Sequence, residues 1–196
     1  MKKLSIAVVL LASLAVAGCG GKKDKAKVEY FSTSKQEVND STVYGKCGEG
    51  TSMNTLELVT DSGDTVVFSI EEAASRGEVK GGLLVGDRMA VIKSLVSDNN
   101  AVASSVVNIT SLLGKWGNLD RNFELQPDGS VLGDVKEPHP YTSWRLLNGR
   151  LLLSSDTFDI RVLGPDSLLL AGSKGSVGYR RLASGTKDTA KHPSKQ

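Results

Sequence analysis

The sequence predicts an all-β protein folded as two small antiparallel barrels, and three observations predict it. Short apolar runs rich in Val, Ile, Leu and Thr recur from residue 42 to residue 182. Clusters of Asp, Asn, Gly, Ser and Pro separate them every eight to ten residues in the second half, the rhythm of strands joined by tight turns. A helical look is confined to one brief stretch, "EEAASRG" at 71–77, which breaks at its glycine. Between polar ends lie about 140 residues, enough for one medium domain or two small ones, and two are expected.

The amino terminus is a targeting segment. Met1-Lys2-Lys3 is positive, Leu4 to Ala17 is apolar but too short to span a bilayer comfortably, and small residues follow. Val16-Ala17-Gly18-Cys19 resembles the lipobox of bacterial lipoproteins. That resemblance implies that residues 1–18 are a signal peptide and that Cys19 becomes the first residue, carrying a diacylglyceryl thioether and usually an acylated amine. Each buried methylene contributes about 0.8 kcal/mol, so two or three acyl chains anchor stably where one does not. Gly20 stands where an aspartate would signal inner-membrane retention in enterobacteria, which favours the outer membrane. Bacteroidetes lipoproteins exported to the cell surface often carry an acidic run after the cysteine. "KKDKAK" at 22–27 departs from that pattern and favours the periplasmic face.

With Cys19 consumed, the only other cysteine, Cys47, has no intramolecular partner. Its flanks "VYGKCGEG" read as a strand end, so a small buried side chain is expected. Losing Lys2 and Lys3 from 24 basic side chains leaves 22 against 22 acidic ones, a neutral mature chain. There is no global electrostatic case for nucleic acid. Residues 19–41 read as a lipidated flexible tether, whose lysines either touch anionic headgroups or are simply solvated. The tail 183–196 is polar throughout and reads as disordered.

The first folded segment is expected at 42–110. "NTLELVT" and "DTVVFSI" flank Asp61-Ser62-Gly63-Asp64, a hairpin with its turn. After the helical insert, Gly86-Asp87 starts a strand through "RMAVIKSLV", and "AVASSVVNIT" closes the unit. Five or six strands with one helical insert before a Gly-Asp turn resemble a small barrel of the OB type. Such barrels bind oligonucleotides through exposed aromatics over a basic groove. This segment has only Tyr44 and Phe68 and mixed charges, which excludes that use.

The second segment is expected at 111–182. Gly114-Lys115-Trp116 opens it, Pro127-Asp128-Gly129 turns it, and "YTSWRLLN", "RLLLSS", "TFDIRVLG", "SLLLAGS" and "SVGYRRL" follow with short turns between them. This is the pattern of an up-and-down sheet closed on itself. The Gly-x-Trp opening, the Asp-Gly hairpin, Trp144 and the terminal Tyr179-Arg180-Arg181 resemble the lipocalin-like domains of Bacteroidetes lipoproteins. The resemblance implies that Trp116 plugs one end and that Arg180 or Arg181 lies over its indole; strand alternation lets only one of the two face inward.

Phe123, Tyr141 and Trp144 are candidates for the wall of an apolar pocket, with His139 beside them in the stiff Pro138-His139-Pro140 segment. The same aromatics could equally be the core of a barrel too small to hold more than one small ligand. No Gly-x-Ser-x-Gly, His-Glu-x-x-His or phosphate-cradling loop is present, and Asp61, Asp64, Asp128 and Asp166 occupy turns. No catalytic residue, metal or cofactor is expected. Two functions are consistent with these features: a lipid-anchored, non-enzymatic envelope protein that binds a small apolar or amphipathic ligand, or a module that docks on another envelope protein.

Overall fold

The computed structural model describes residues 40–94, 101–133 and 138–183. The signal peptide, Cys19, most of the tether and nearly all of the tail lie outside the described residues. What is described is all-β apart from two short helices, in two sheets.

The first sheet has six strands, β1 (Thr42–Cys47), β2 (Thr55–Thr60), β3 (Thr65–Ser69), β4 (Val79–Lys80), β5 (Arg88–Lys93) and β6 (Ala103–Asn108). Helix α1 (Glu71–Ser75) follows β3. The order is β3-β2-β1-β5-β6-β4, antiparallel except where β4 runs parallel to β6. A parallel bridge between Ser69 and Val102, with Ser69 N–H donating to Ala101 O at 2.8 Å, brings the far end of β3 back to β6. Alternation sets the core: in β2, Leu56 and Leu58 are fully buried against Phe68, Met89 and Val91, whereas Val59 between the strands' other face and solvent stays exposed. Gly45 of β1 lies tight against β2; a Cβ there would clash with Val59 O. Cys47 is buried, its Sγ 3.3 Å from Thr51 Oγ1.

The apolar run expected to continue as strand to Thr110 ends at Asn108 instead. Asn108 is fully buried; its Oδ1 accepts from Ser111 N–H at 2.9 Å, the side-chain cap of helix α2 (Ile109–Leu112). Its Nδ2 donates to Gly82 O and to Asp87 Oδ2. Ile109 and Leu112, three apart on the helix, face the same core.

The second sheet has eight strands, β7 (Gly114–Gly117), β8 (Asn122–Leu125), β9 (Val131–Gly133), β10 (Trp144–Leu147), β11 (Arg150–Leu153), β12 (Asp156–Leu163), β13 (Ser167–Gly172) and β14 (Gly175–Arg181). Each pairs antiparallel with its successor where paired, and β14 returns to β7 through Arg181 opposite Trp116. The circuit nearly closes between β9 and β10, where Ser130 bridges Ser143 and Trp144 N–H donates to Gly129 O at 2.7 Å. Asn148 and Gly149 both have positive φ, 48° and 77°, the backbone of a two-residue hairpin turn matched to strand twist.

The two sheets are separate in hydrogen bonding between strands but share a core. Ala90 and Val107 of the first sheet join the cluster that fills the barrel. Tyr44 Oη donates to Leu146 O at 3.1 Å, Ser41 N–H to Asn148 Oδ1 at 2.9 Å and Gly81 N–H to Leu163 O at 3.1 Å. Burial raises the Tyr44 hydroxyl pKa above its ordinary value, so it remains a donor.

Candidate functional site at the barrel mouth

Successive turns of an up-and-down barrel alternate between its two ends, so the sequence order sorts them. One end receives α2, the β12–β13 turn and the end of β14. Trp116 lies there, fully buried, its Nε1 donating to Leu112 O at 2.8 Å. The Arg181 guanidinium sits 4.1 Å from the indole centroid, a stack of the kind worth roughly 0.5 to 2 kcal/mol. Its Nη1 donates to Leu113 O at 2.8 Å, Nη2 to Ser111 O and Nε to Pro165 O. Burial lowers the Arg181 pKa and Asp166 opposes the shift, yet a guanidinium stays charged in either case. Gly114 has φ +107°, and a Cβ there would come within 3.0 Å of Arg181 Nη1. Of the two arginines offered by the sequence, Arg181 faces inward; Arg180 points to solvent opposite Gly117.

The other end is open. Its turns bring together Arg121 after β7, Tyr141 before β10, Asp156 to Phe158 at the start of β12, and Gly172 to Val177 across the β13–β14 hairpin. They line a depression of about 300 Å³. Beneath it, aromatic edges meet faces: Phe123 is 5.0 Å from Tyr179 and 5.8 Å from Tyr141, and Tyr141 is 6.4 Å from Phe158. Arg121 lies 4.3 Å over the Tyr141 ring. With Lys174, Arg121 gives the rim two cations; Asp156 supplies an anion, and Thr157, Ser173 and Ser176 supply hydroxyls. Arg121 and Val177 also line a neighbouring depression of about 290 Å³ with Asn118, Asp120, Pro138 and Tyr179.

Of the four pocket candidates, Phe123 and Tyr141 meet here, both buried. Trp144 does not join them. It is half-buried, its Nε1 donates to Gln126 O at 2.7 Å, and it borders Tyr44, Ile109 and Pro127 on the side facing the first sheet. His139 is exposed; only its carbonyl, 3.5 Å from Arg121 Nη2, approaches the site. Arg121 and Phe158 carry no signal of their own in the sequence, Lys174 reads only as a turn residue, and Tyr179 stands out only within the closing Tyr179-Arg180-Arg181. The signal that finds them is the meander itself, because every second turn of such a barrel opens at the same end.

Chemically the mouth can hold a small group against aromatic edges and neutralise an anion at its rim. Among the described residues, no three His, Cys, Asp or Glu side chains gather as a metal ion would need. Asp128 is a turn residue as expected: its Oδ1 accepts from Ser130 N–H at 2.9 Å and Oγ at 2.6 Å, which holds its pKa below the usual carboxylate value. Comparison with family models, with curated proteins and with solved structures finds no match for this chain.

Proposed function

We propose that the protein is a lipid-anchored, non-enzymatic module of the bacterial envelope that works by docking, held through Cys19 at the periplasmic face of the outer membrane. The observation that carries this reading is the filled barrel. Trp116, Leu125, Leu151, Leu153, Leu168 and Leu170 are all at most 1% exposed and occupy the interior that a carrier would keep open. An OB-like assignment of the first sheet is supported by its β1–β2–β3 meander, the antiparallel β1–β5 pair, the parallel bridge from β3 to β6 and the intervening helix. A lipocalin-like assignment of the second is supported by its eight-stranded meander and the arginine over the first-strand tryptophan. Crosslinking in the intact envelope tests the reading: a reproducible protein adduct is expected, and its absence overturns it.

A second reading has its own observation. The mouth cavity is at the lower limit of small-molecule sites, and its aromatic edges and cationic rim suit a small amphipathic anion. Native mass spectrometry of protein taken from its own host without detergent separates the two readings. A bare mass supports docking. A stoichiometric extra mass that is lost on denaturation and on Phe158→Ala makes the protein a binder of that compound.

A further inference from the structure

The filled interior of the barrel limits what its open end can take. Leu151, Leu153 and Leu170 are fully buried in the core that includes the aromatic layer. A long acyl chain therefore has nowhere to thread, and a ligand must sit in the mouth itself. That depression, about 300 Å³, has room for one ring or a short chain. Phe158 lines it, half-buried, and lies against Gly172 of the neighbouring strand. A Cβ on Gly172 would come within 2.9 Å of the ring, so the glycine is what lets the ring lie close to the sheet.

Charge narrows the choice further. Arg121 is half-buried, its guanidinium 4.3 Å from the Tyr141 ring centroid and its Nη2 3.5 Å from His139 O. It lines both the mouth and the neighbouring depression, so it stands between them. Lys174 and Asp156 are exposed on the rim of the mouth, and Asp120 is exposed in the neighbouring depression. Water and salt screen exposed charges more than half-buried ones, so Arg121 dominates the attraction. Its planar fork matches a carboxylate through two parallel hydrogen bonds, and a stacked guanidinium loses less freedom on binding. A second negative charge on the ligand would face Asp156 on one side or Asp120 on the other.

We infer that the mouth binds a small apolar monocarboxylate, its carboxylate on Arg121 with Lys174 beside it and its apolar part against Phe158. The inference rests on the second reading, the mouth as a binding site, and names the class of compound. It leaves the rest of the surface available for docking, because the depression is confined to one end of the barrel.

NMR titration of the isotope-labelled full chain, made soluble by Cys19→Ser, with phenylacetate tests this. Saturable amide shifts centred on Arg121, Phe158 and the β13–β14 hairpin are expected. Phenylacetamide, the neutral isostere, should bind about tenfold more weakly for want of a charge-assisted hydrogen bond. Phenyl phosphate, doubly charged near neutral pH, should also bind more weakly. Arg121→Gln should abolish the shifts. Lys174→Gln, at an exposed hairpin tip, should weaken binding with an unchanged melting temperature. Decanoate should bind no better than hexanoate, because the interior is filled. No saturable shift at the mouth, tighter binding of the amide or the phosphate, indifference to both variants, or affinity that climbs from hexanoate to decanoate overturns the inference. So does a peptide ending in phenylalanine that binds the mouth where phenylacetate does not, since the carboxylate is then a chain terminus. If no acid binds but protein from its own host carries an extra mass that Phe158→Ala removes, the inference fails and the binding site stands for another class of compound. If that mass is bare as well, both fail.

Discussion

The two sheets solve the same problem with different materials. The first closes around aliphatic side chains with one aromatic, Phe68, in its core, and turns its remaining face to its neighbour through Ala90 and Val107. The second is rich in aromatics and treats its ends unequally: one is sealed by Trp116 and Arg181, the other is left with a depression over an aromatic layer. A barrel sealed at one end by dedicated residues can vary the other freely. A sheet that uses its surface to brace a neighbour cannot, which is why the candidate site belongs to the second sheet.

Removing the seal is the largest test of that contrast. Trp116→Ala should cost about 3 to 5 kcal/mol, the range for deleting a buried aromatic, read from urea midpoints. Phe68→Ala should cost about the same in the first sheet. Because the sheets share a core, tryptophan fluorescence, which reports only the barrel, and amide exchange in β2 should lose structure in one transition for either variant. Two separated transitions would show that the shared core does not couple them.

Next comes the junction. Asn108→Ala removes a helix cap and strands buried polar groups, an expected loss of about 1 to 3 kcal/mol in thermal or urea unfolding. Arg181→Lys should lose about 1 to 2 kcal/mol, since an ammonium cannot stack and reach several carbonyls together. Arg180→Lys should change stability by less than about 0.5 kcal/mol. Equal effects at 180 and 181 would remove the distinction between the two arginines.

The smallest effect is electrostatic and belongs to the first sheet. Arg88 donates to Asp61 through both terminal nitrogens and holds its pKa below the usual carboxylate value. A depressed folded-state pKa stabilises above the ordinary carboxylate value near 4, and that contribution disappears as pH falls through the lower folded value. Asp61 is exposed, so solvent screens the pair. Asp61→Asn should therefore shift the melting temperature slightly at pH 7, less in high salt, and by a shrinking amount as the pH is taken below the usual carboxylate range.

Much of this fold was legible in residues whose reasons are local. Asp61 to Asp64 and Asp128-Gly129 turn the chain where the sequence places turns, and Asn148-Gly149 and Lys174-Gly175 supply two of the short turns expected between the later runs, because their backbone preferences act within a few bonds. Helix α2 was not legible: "VVNIT" reads as strand until Asn108 is seen to find Ser111, Gly82 and Asp87, two of which arrive from distant sequence. The site was half legible. Phe123 and Tyr141 are aromatic and so draw notice anywhere, whereas Arg121 and Lys174 look like ordinary turn residues until the meander brings their turns to one rim. Trp144 draws the same notice and lies elsewhere, at the start of β10 on the side facing the first sheet, where its nitrogen donates to Gln126 O.

The pairing of β14 with β7 also orders events in time. All six strands of the first sheet are complete once the chain has passed Asn108, whereas Trp116 waits for Arg181, 65 residues later. Closing so distant a loop carries an entropic cost that nearer pairings escape, so the hairpins of the barrel form before its seal does. Asn108 and α2 give the late strands a finished platform to assemble on. A chain stalled or cut before Ser176 therefore loses more than one strand: it loses the lock of the whole barrel and the shared core that Ala90 and Val107 join, and leaves its indole bare to quality control.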